Sequence, residues 1–149
     1  MKFVRFALAA VIFSAAVSTA AQAQSWQRAG GNESTFSYVD VASRAVIRNR
    51  VTVLTQSVYA EPLDGGIYAV VIKSEFDCSA NDFRTLEYSY YDINNNYMST
   101  EVSETINEHK IPSPGSINEA LLSIACTGTG GIAVSDPFTD AKSQFPQYQ

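Results

Sequence analysis

Residues 67–91 read IYAVVIKSEFDCSANDFRTLEYSYY, two runs of β-forming residues on either side of the polar stretch SAND. Side chains alternate across a strand, so residues two apart share a face. In the first run Tyr68, Val70, Ile72, Phe76 and Cys78 have one parity, and Lys73, Glu75 and Asp77 have the other. This alternation gives one buried and one solvated face and points Cys78 inward. In the second run Leu86, Tyr88 and Tyr90 oppose Thr85, Glu87 and Ser89, which assigns Tyr88 and Tyr90 to the core as well. Two such runs joined by a short polar turn predict an antiparallel hairpin.

Upstream, VTVLTQSVY (51–59) is rich in β-branched residues and is closed by Pro62 and Asp64-Gly65-Gly66, a turn signal. FSYVDV (36–41) is a shorter strand candidate, and residues 24–34 form a polar, glycine-containing lead apart from Trp26. Downstream, DINNN (92–96) is a turn with asparagines suited to left-handed backbone, and YMSTEVS (97–103) reads as a polar edge strand. The pattern then changes. In IPSPGSINEALLSIAC (111–126) two prolines and a glycine break any strand, and Ser116 with Glu119 forms a capping box. Ile117, Ala120, Leu121, Ile124 and Ala125 recur on one helical face, Cys126 lies in the last turn, and Gly128, Gly130 and Gly131 stop the helix. The expected fold is α+β: an antiparallel sheet of about five to six strands with one C-terminal helix. Residues 127–149, glycine-rich and then carrying Pro137 and Pro146, are expected to be a flexible tail.

The beginning of the chain reads differently. Lys2 and Arg5 precede an apolar run over residues 6–17, and the stretch STAAQAQ places Ala21 and Ala23 at the small-residue positions of a signal-peptidase site. Residues 1–23 are read as a cleavable signal peptide, residues 24–126 as the folded domain. The run is shorter than the roughly 20 residues of a membrane span, so no stable membrane insertion is expected after cleavage. No cysteine precedes Cys78, so no lipid-accepting residue is read, and the expected location is periplasmic or secreted. Loss of Lys2 and Arg5 takes the formal net charge from −5 to −7, a balance that argues against nucleic acid as a partner.

Cys78 and Cys126 are the only two cysteines, and an even count in an exported chain reads as a disulfide. Closing a loop of about 48 residues stabilises a fold by roughly 4 kcal/mol on a chain-entropy view. The alternative, a reactive thiol pair, lacks C-x-x-C spacing and any adjoining basic residue.

Candidate chemistry is sparse. His109, the single histidine, lies in NEHK ahead of Pro112 and reads as a solvated loop residue. Asp92, Asn94 and Asn96 have the spacing that opens a calcium loop, but Tyr97 stands where its glycine is needed and Ser103 where its glutamate is needed. Glu101, Glu104 and Glu108 read as a solvated face, and GTGG at Gly128 lacks the Lys and Ser/Thr of a phosphate loop. No catalytic residue, metal ligand or cofactor is assigned. With Tyr88 and Tyr90 given to the core, Tyr91 and Tyr97 are the tyrosines left as binding candidates, because exposed tyrosine favours protein recognition.

FSYVD near the start of the domain, FDC on a central strand, the aromatic YSYYD strand, and P-G-S-x-x-E-A-L-L with a cysteine ending the helix come in an order that resembles the bacterial surface-adhesin protein E family, over roughly residues 26–126. The resemblance implies an antiparallel sheet of about six strands with the helix held to its concave face by a disulfide, with Cys78 and Cys126 in the bridge positions. It also implies a non-enzymatic binding module, since the family is named for an adhesin that binds host extracellular-matrix and plasma proteins. Protein ligands are therefore the expected partners; a soluble periplasmic interaction protein or inhibitor is the alternative. A homodimer formed through the edge strand 97–103 or through the tail is the oligomer that the sequence offers.

Overall fold

The computed structural model describes residues 23–148, so the segment read as a signal lies outside the described residues except for Ala23. The elements are β1 (Trp26–Gly31), β2 (Thr35–Ile47), β3 (Arg50–Leu63), β4 (Ile67–Asp77), β5 (Asp82–Tyr91), β6 (Tyr97–Val102), α1 (Ile117–Thr127), β7 (Ile132–Val134) and α2 (Pro137–Gln144), with a final 3-10 turn, Phe145–Tyr148. Seven strands form one sheet in the order β6-β5-β4-β3-β2-β1-β7, and every neighbouring pair is antiparallel. The hairpin of β4 and β5 lies inside it, with Ile72 opposite Tyr88 and Val70 opposite Tyr90.

The sheet is covered on both faces, and alternation along β2 separates the two cores. Val39 and Val41 face one side, where they join Val51, Val53 and Phe76 beneath Leu121, Leu122, Ile124 and Ala125 of α1. Phe36 and Tyr38 face the other side, where they join Trp26, Val58 and Ala69 beneath Phe138 and Ala141 of α2 and Phe145 of the final turn. Burial of each large side chain contributes about 1.5–3 kcal/mol, so a short helix that would be unstable in isolation is held by its contacts.

The first helix starts as its sequence indicates. Ser116 caps it by accepting the Glu119 N–H at 3.2 Å, and Glu119 Oε2 accepts the Gly115 N–H at 2.6 Å. Gly128 ends it in the left-handed conformation, φ 76°, its N–H donating to Ile124 O at 2.8 Å. No basic residue lies in the last turn of α1, yet its carbonyls are satisfied from elsewhere: Arg44 of β2 donates through Nε to Ala125 O at 2.7 Å and through Nη2 to Cys126 O at 3.1 Å. A register shift between Asp40 and Ala45 accompanies the position of Arg44. The disulfide joins Cys78, just past β4, to Cys126 in the last turn, with the Cα atoms 5.7 Å apart. Both half-cystines pack against the core under α1.

Three expectations are corrected. Residues 24–34 contain a strand, β1, whose polar sequence WQRAGG gives no alternation but which is held between β2 and β7 and buries Trp26. The count is accordingly seven strands, with β7 also added beyond the helix. Residues 127–149 are not a flexible tail across their described part: they supply β7, α2 and the final turn. Asp136 caps α2 by accepting the Thr139 N–H at 2.7 Å, and Pro137 occupies its first turn. Asp140 then anchors it to the sheet, accepting from Arg28 Nη1 at 3.1 and 3.0 Å and from the Tyr38 hydroxyl at 2.9 Å. Burial beside that carboxylate pushes the Tyr38 hydroxyl far above the ordinary phenol range, so it remains a donor.

Candidate binding surface

The helix α1 is 11 residues long, about 16 Å, and strands lie about 4.8 Å apart, so it spans only part of a seven-stranded sheet. It packs on β1 to β4 and leaves the β5–β6 end of its face without a helix. Tyr88 and Tyr90 lie on that uncovered end. Their expected core placement is corrected: they share a face with Val70 and Ile72, as alternation requires, but they are half-buried because no helix reaches them. The two rings stack with centroids 6.3 Å apart and planes within 10°. The Tyr90 hydroxyl donates to Glu101 Oε1 of β6. Partial burial first, and then this carboxylate, push the Tyr90 phenol up to about 12. Tyr59 of β3, also on this face, is raised as well, by burial and then by the neighbouring Tyr88. On the same face Val70, opposite Tyr90, and Thr55, opposite Ile72, are buried, and Thr55 donates through Oγ1 to Ile72 O at 3.4 Å.

The other face of the same sheet end holds the tyrosines singled out by sequence. Tyr91 packs against the core under α2, and Tyr97 meets it edge-on, centroids 6.0 Å apart at 72°. Tyr97 is 60% exposed, and its hydroxyl donates to Thr100 Oγ1 at 3.1 Å; Thr100 in turn shares a hydrogen bond with Ser89 Oγ at 2.7 Å. Of the two, Tyr97 is presented to solvent and Tyr91 braces it. Tyr88 and Tyr90 were missed as surface residues because alternation reports which side a residue faces and not whether anything covers it. The available signal was the disproportion between five or six strands and one short helix.

The remaining sequence features do not converge on chemistry. His109 Nδ1 lies 2.9 Å from Asp82 Oδ1, which supplies an orienting carboxylate, but among the described residues no hydroxyl or thiol bonds to the ring. The DINNN turn is closed internally: Asp92 accepts the N–H groups of Asn94 and Asn96 at 2.9 and 2.8 Å, bonds that hold its carboxyl below the usual range, and Asn95 takes φ 61°. Among the described residues no group of three or more His, Cys, Asp or Glu side chains is placed to hold a metal ion. A groove of about 590 Å³ runs along α1 beside the disulfide, open and lined by Asn81, Ser116, Glu119 and Ser123, with no acid and base paired across it.

Most basic side chains near this end are paired or turned away from the tyrosines; Lys110, bridged through its backbone to Phe83, lies on their face toward the far end of β5. Arg28 is paired with Asp140, Arg50 and Arg84 with Glu75, and Arg44 is spent on the end of α1. Lys73 shares the parity of Glu75 and so faces away from Tyr88 and Tyr90, while Lys142 of α2 donates to Ile93 O on that same opposite side. Glu101 has the Tyr90 hydroxyl as its partner and, among the described residues, no ion pair.

The family model for surface-adhesin protein E matches residues 26–127, from the first residue of β1 to the last of α1, with β7 and α2 beyond the matched span. No curated protein and no solved structure matches. A match that takes in six of the seven strands, the helix and both half-cystines covers most of the chain, and the chain belongs to the surface-adhesin protein E family.

Proposed function

We propose that this protein is an exported, non-enzymatic module that binds other extracellular or envelope proteins through the β5–β6 end of its sheet. Membership of an adhesin family over six of the seven strands and α1 carries the reading. Export is supported by Lys2 and Arg5 ahead of the apolar run, by Ala21-Gln22-Ala23, and by a disulfide, which persists in oxidising compartments. Recognition is supported by tyrosine on both faces of one sheet end: Tyr97, braced by Tyr91, on one side, and Tyr88 with Tyr90 on the other. Tyrosine suits such work because it offers a large apolar face and a polar tip at small cost in conformational freedom.

The test is site-specific photocrosslinking in the producing cell, with the reactive residue at Tyr97 and, as a control surface, at Arg48 in the β2–β3 turn. Discrete protein adducts from position 97 and none from 48, in protein that fractionates outside the cytoplasm, are the expected result. Cytoplasmic retention would refute export, and equal adducts from both positions, or none, would refute this binding surface.

A further inference from the structure

The geometry points to strand addition: we infer that β6 accepts an extended segment of a partner protein as an eighth, antiparallel strand, with Lys or Arg beside Glu101 alternating with apolar β-branched residues beside Val102. This rests on the protein-binding reading and adds to it the mode of binding and the partner's chemistry.

The sheet has two edges. One is β7, three residues long; the other is β6, with all six residues exposed. Ser103, just past β6, donates its N–H to Leu86 O of the β5 strand at 3.0 Å. Backbone groups along an antiparallel strand point alternately to either side, so Ser99 and Glu101 also face β5, while Thr100 and Val102 turn their N–H and C=O outward. Among the described residues these outward groups meet no partner. An edge of this kind is normally blunted by charged side chains, proline, a bulge or a covering element. This strand has no lysine, proline or cover; it carries one charge, Glu101, and a register shift at Met98, and it exposes Tyr97, Met98 and Val102 at 60, 43 and 64%.

The two faces of the edge ask for different side chains. Glu101 lies on the face of Tyr88 and Tyr90, and Thr100 and Val102 lie on the face of Tyr97. On an added strand the residue opposite Glu101 would sit in a non-hydrogen-bonded pair, where side chains are closest, with the Tyr90 ring one strand further in. A cation there meets a carboxylate that makes no ion pair among the described residues, and an aromatic neighbour. A residue opposite Val102 extends its exposed apolar surface. A second copy of this chain is the poorer occupant, because the formal net charge is −5 over the whole sequence and becomes −7 without Lys2 and Arg5.

The probe is a capped synthetic octapeptide of alternating valine and lysine, compared with its valine–glutamate counterpart and with an isomer that segregates the lysines from the valines. It is added to 15N-labelled protein, residues 24–149, and amide exchange is read residue by residue. The alternating lysine peptide is expected to slow exchange at Thr100 and Val102 at least about tenfold and to weaken about tenfold with Glu101→Gln, the size of one charge-assisted contact of about 1.4 kcal/mol. Val102→Pro removes an outward N–H, keeps the β5 ladder intact as judged by protected Glu101 and Ser103 amides, and is expected to abolish the effect, whereas Val102→Thr retains it. Equal binding of the segregated or glutamate peptide, protection elsewhere, or a β6 edge already protected in a sedimenting dimer would each overturn strand addition. If partners crosslinked at Tyr97 bind the Val102→Pro protein undiminished, protein binding stands and strand addition falls.

Discussion

Phe138→Ala tests whether α2 is a structural layer of this fold or a segment lying loosely on it. The ring is 6% exposed and belongs to the cluster of Trp26, Phe36, Tyr38, Val58 and Ala69, with Lys142 Nζ 4.4 Å from its centroid on the outer side. Phe→Ala in a packed site costs about 3–5 kcal/mol from lost transfer energy and the cavity left behind. Here the loss has a ceiling, because a helix of eight residues can detach instead of bridging a cavity, after which the cost is its own docking energy. Phe145, Ala141 and the Asp140 anchor remain, so an effect near the lower end, about 3 kcal/mol, is expected, lowering Tm by about 10 °C for a domain of this size. Trp26, the single tryptophan, lies in the same cluster at 4% exposure and reports on it directly. In urea titrations the fluorescence of Trp26 should respond before the far-UV circular dichroism, because α2 leaves before the sheet unfolds. Amide exchange over residues 137–144 should rise to near the unprotected rate. A variant within about 1 kcal/mol of the parent, with residues 137–144 as protected as before, would refute the assignment of α2 as the cover of this face.

Three other outcomes follow from the structure. Replacing Cys126 by Ser should lower the unfolding free energy by about 2–5 kcal/mol and raise amide exchange first over residues 116–125, since the bond ties the end of α1 to the end of β4; unchanged protection there would deny the bond its role. Tyr90, Tyr38 and Tyr59 all hold their protons more tightly when folded than a free phenol does, so the unfolded chain ionises first as pH rises; stability is complete below about pH 10 and falls above it, through about 12 for Tyr90. Glu101→Gln should bring the Tyr90 titration, followed by phenolate absorbance or ring NMR, down toward the ordinary value, and no change would place the cause in burial alone.

What the sequence determined by itself was local, and it is visible in particular residues. The period-two alternation of 67–91 gave the central hairpin, the box of Ser116 with Glu119 gave the start of α1, and two lone cysteines gave the bridge, since each signal is carried by residues near in sequence or too few to pair otherwise. Tertiary structure decided the rest. The polar β1 and the three-residue β7 are strands because each borrows its backbone partners from a neighbour, and α2 is a helix because Phe138, Ala141 and Phe145 find an apolar face and Asp140 finds Arg28, 112 residues away. The face that alternation assigns to Tyr88 and Tyr90 is the right one, but exposure depends on how far a helix reaches across the sheet. That reach is a distance in space, set by the 11 residues of α1 against seven strands, and no spacing along the chain encodes it.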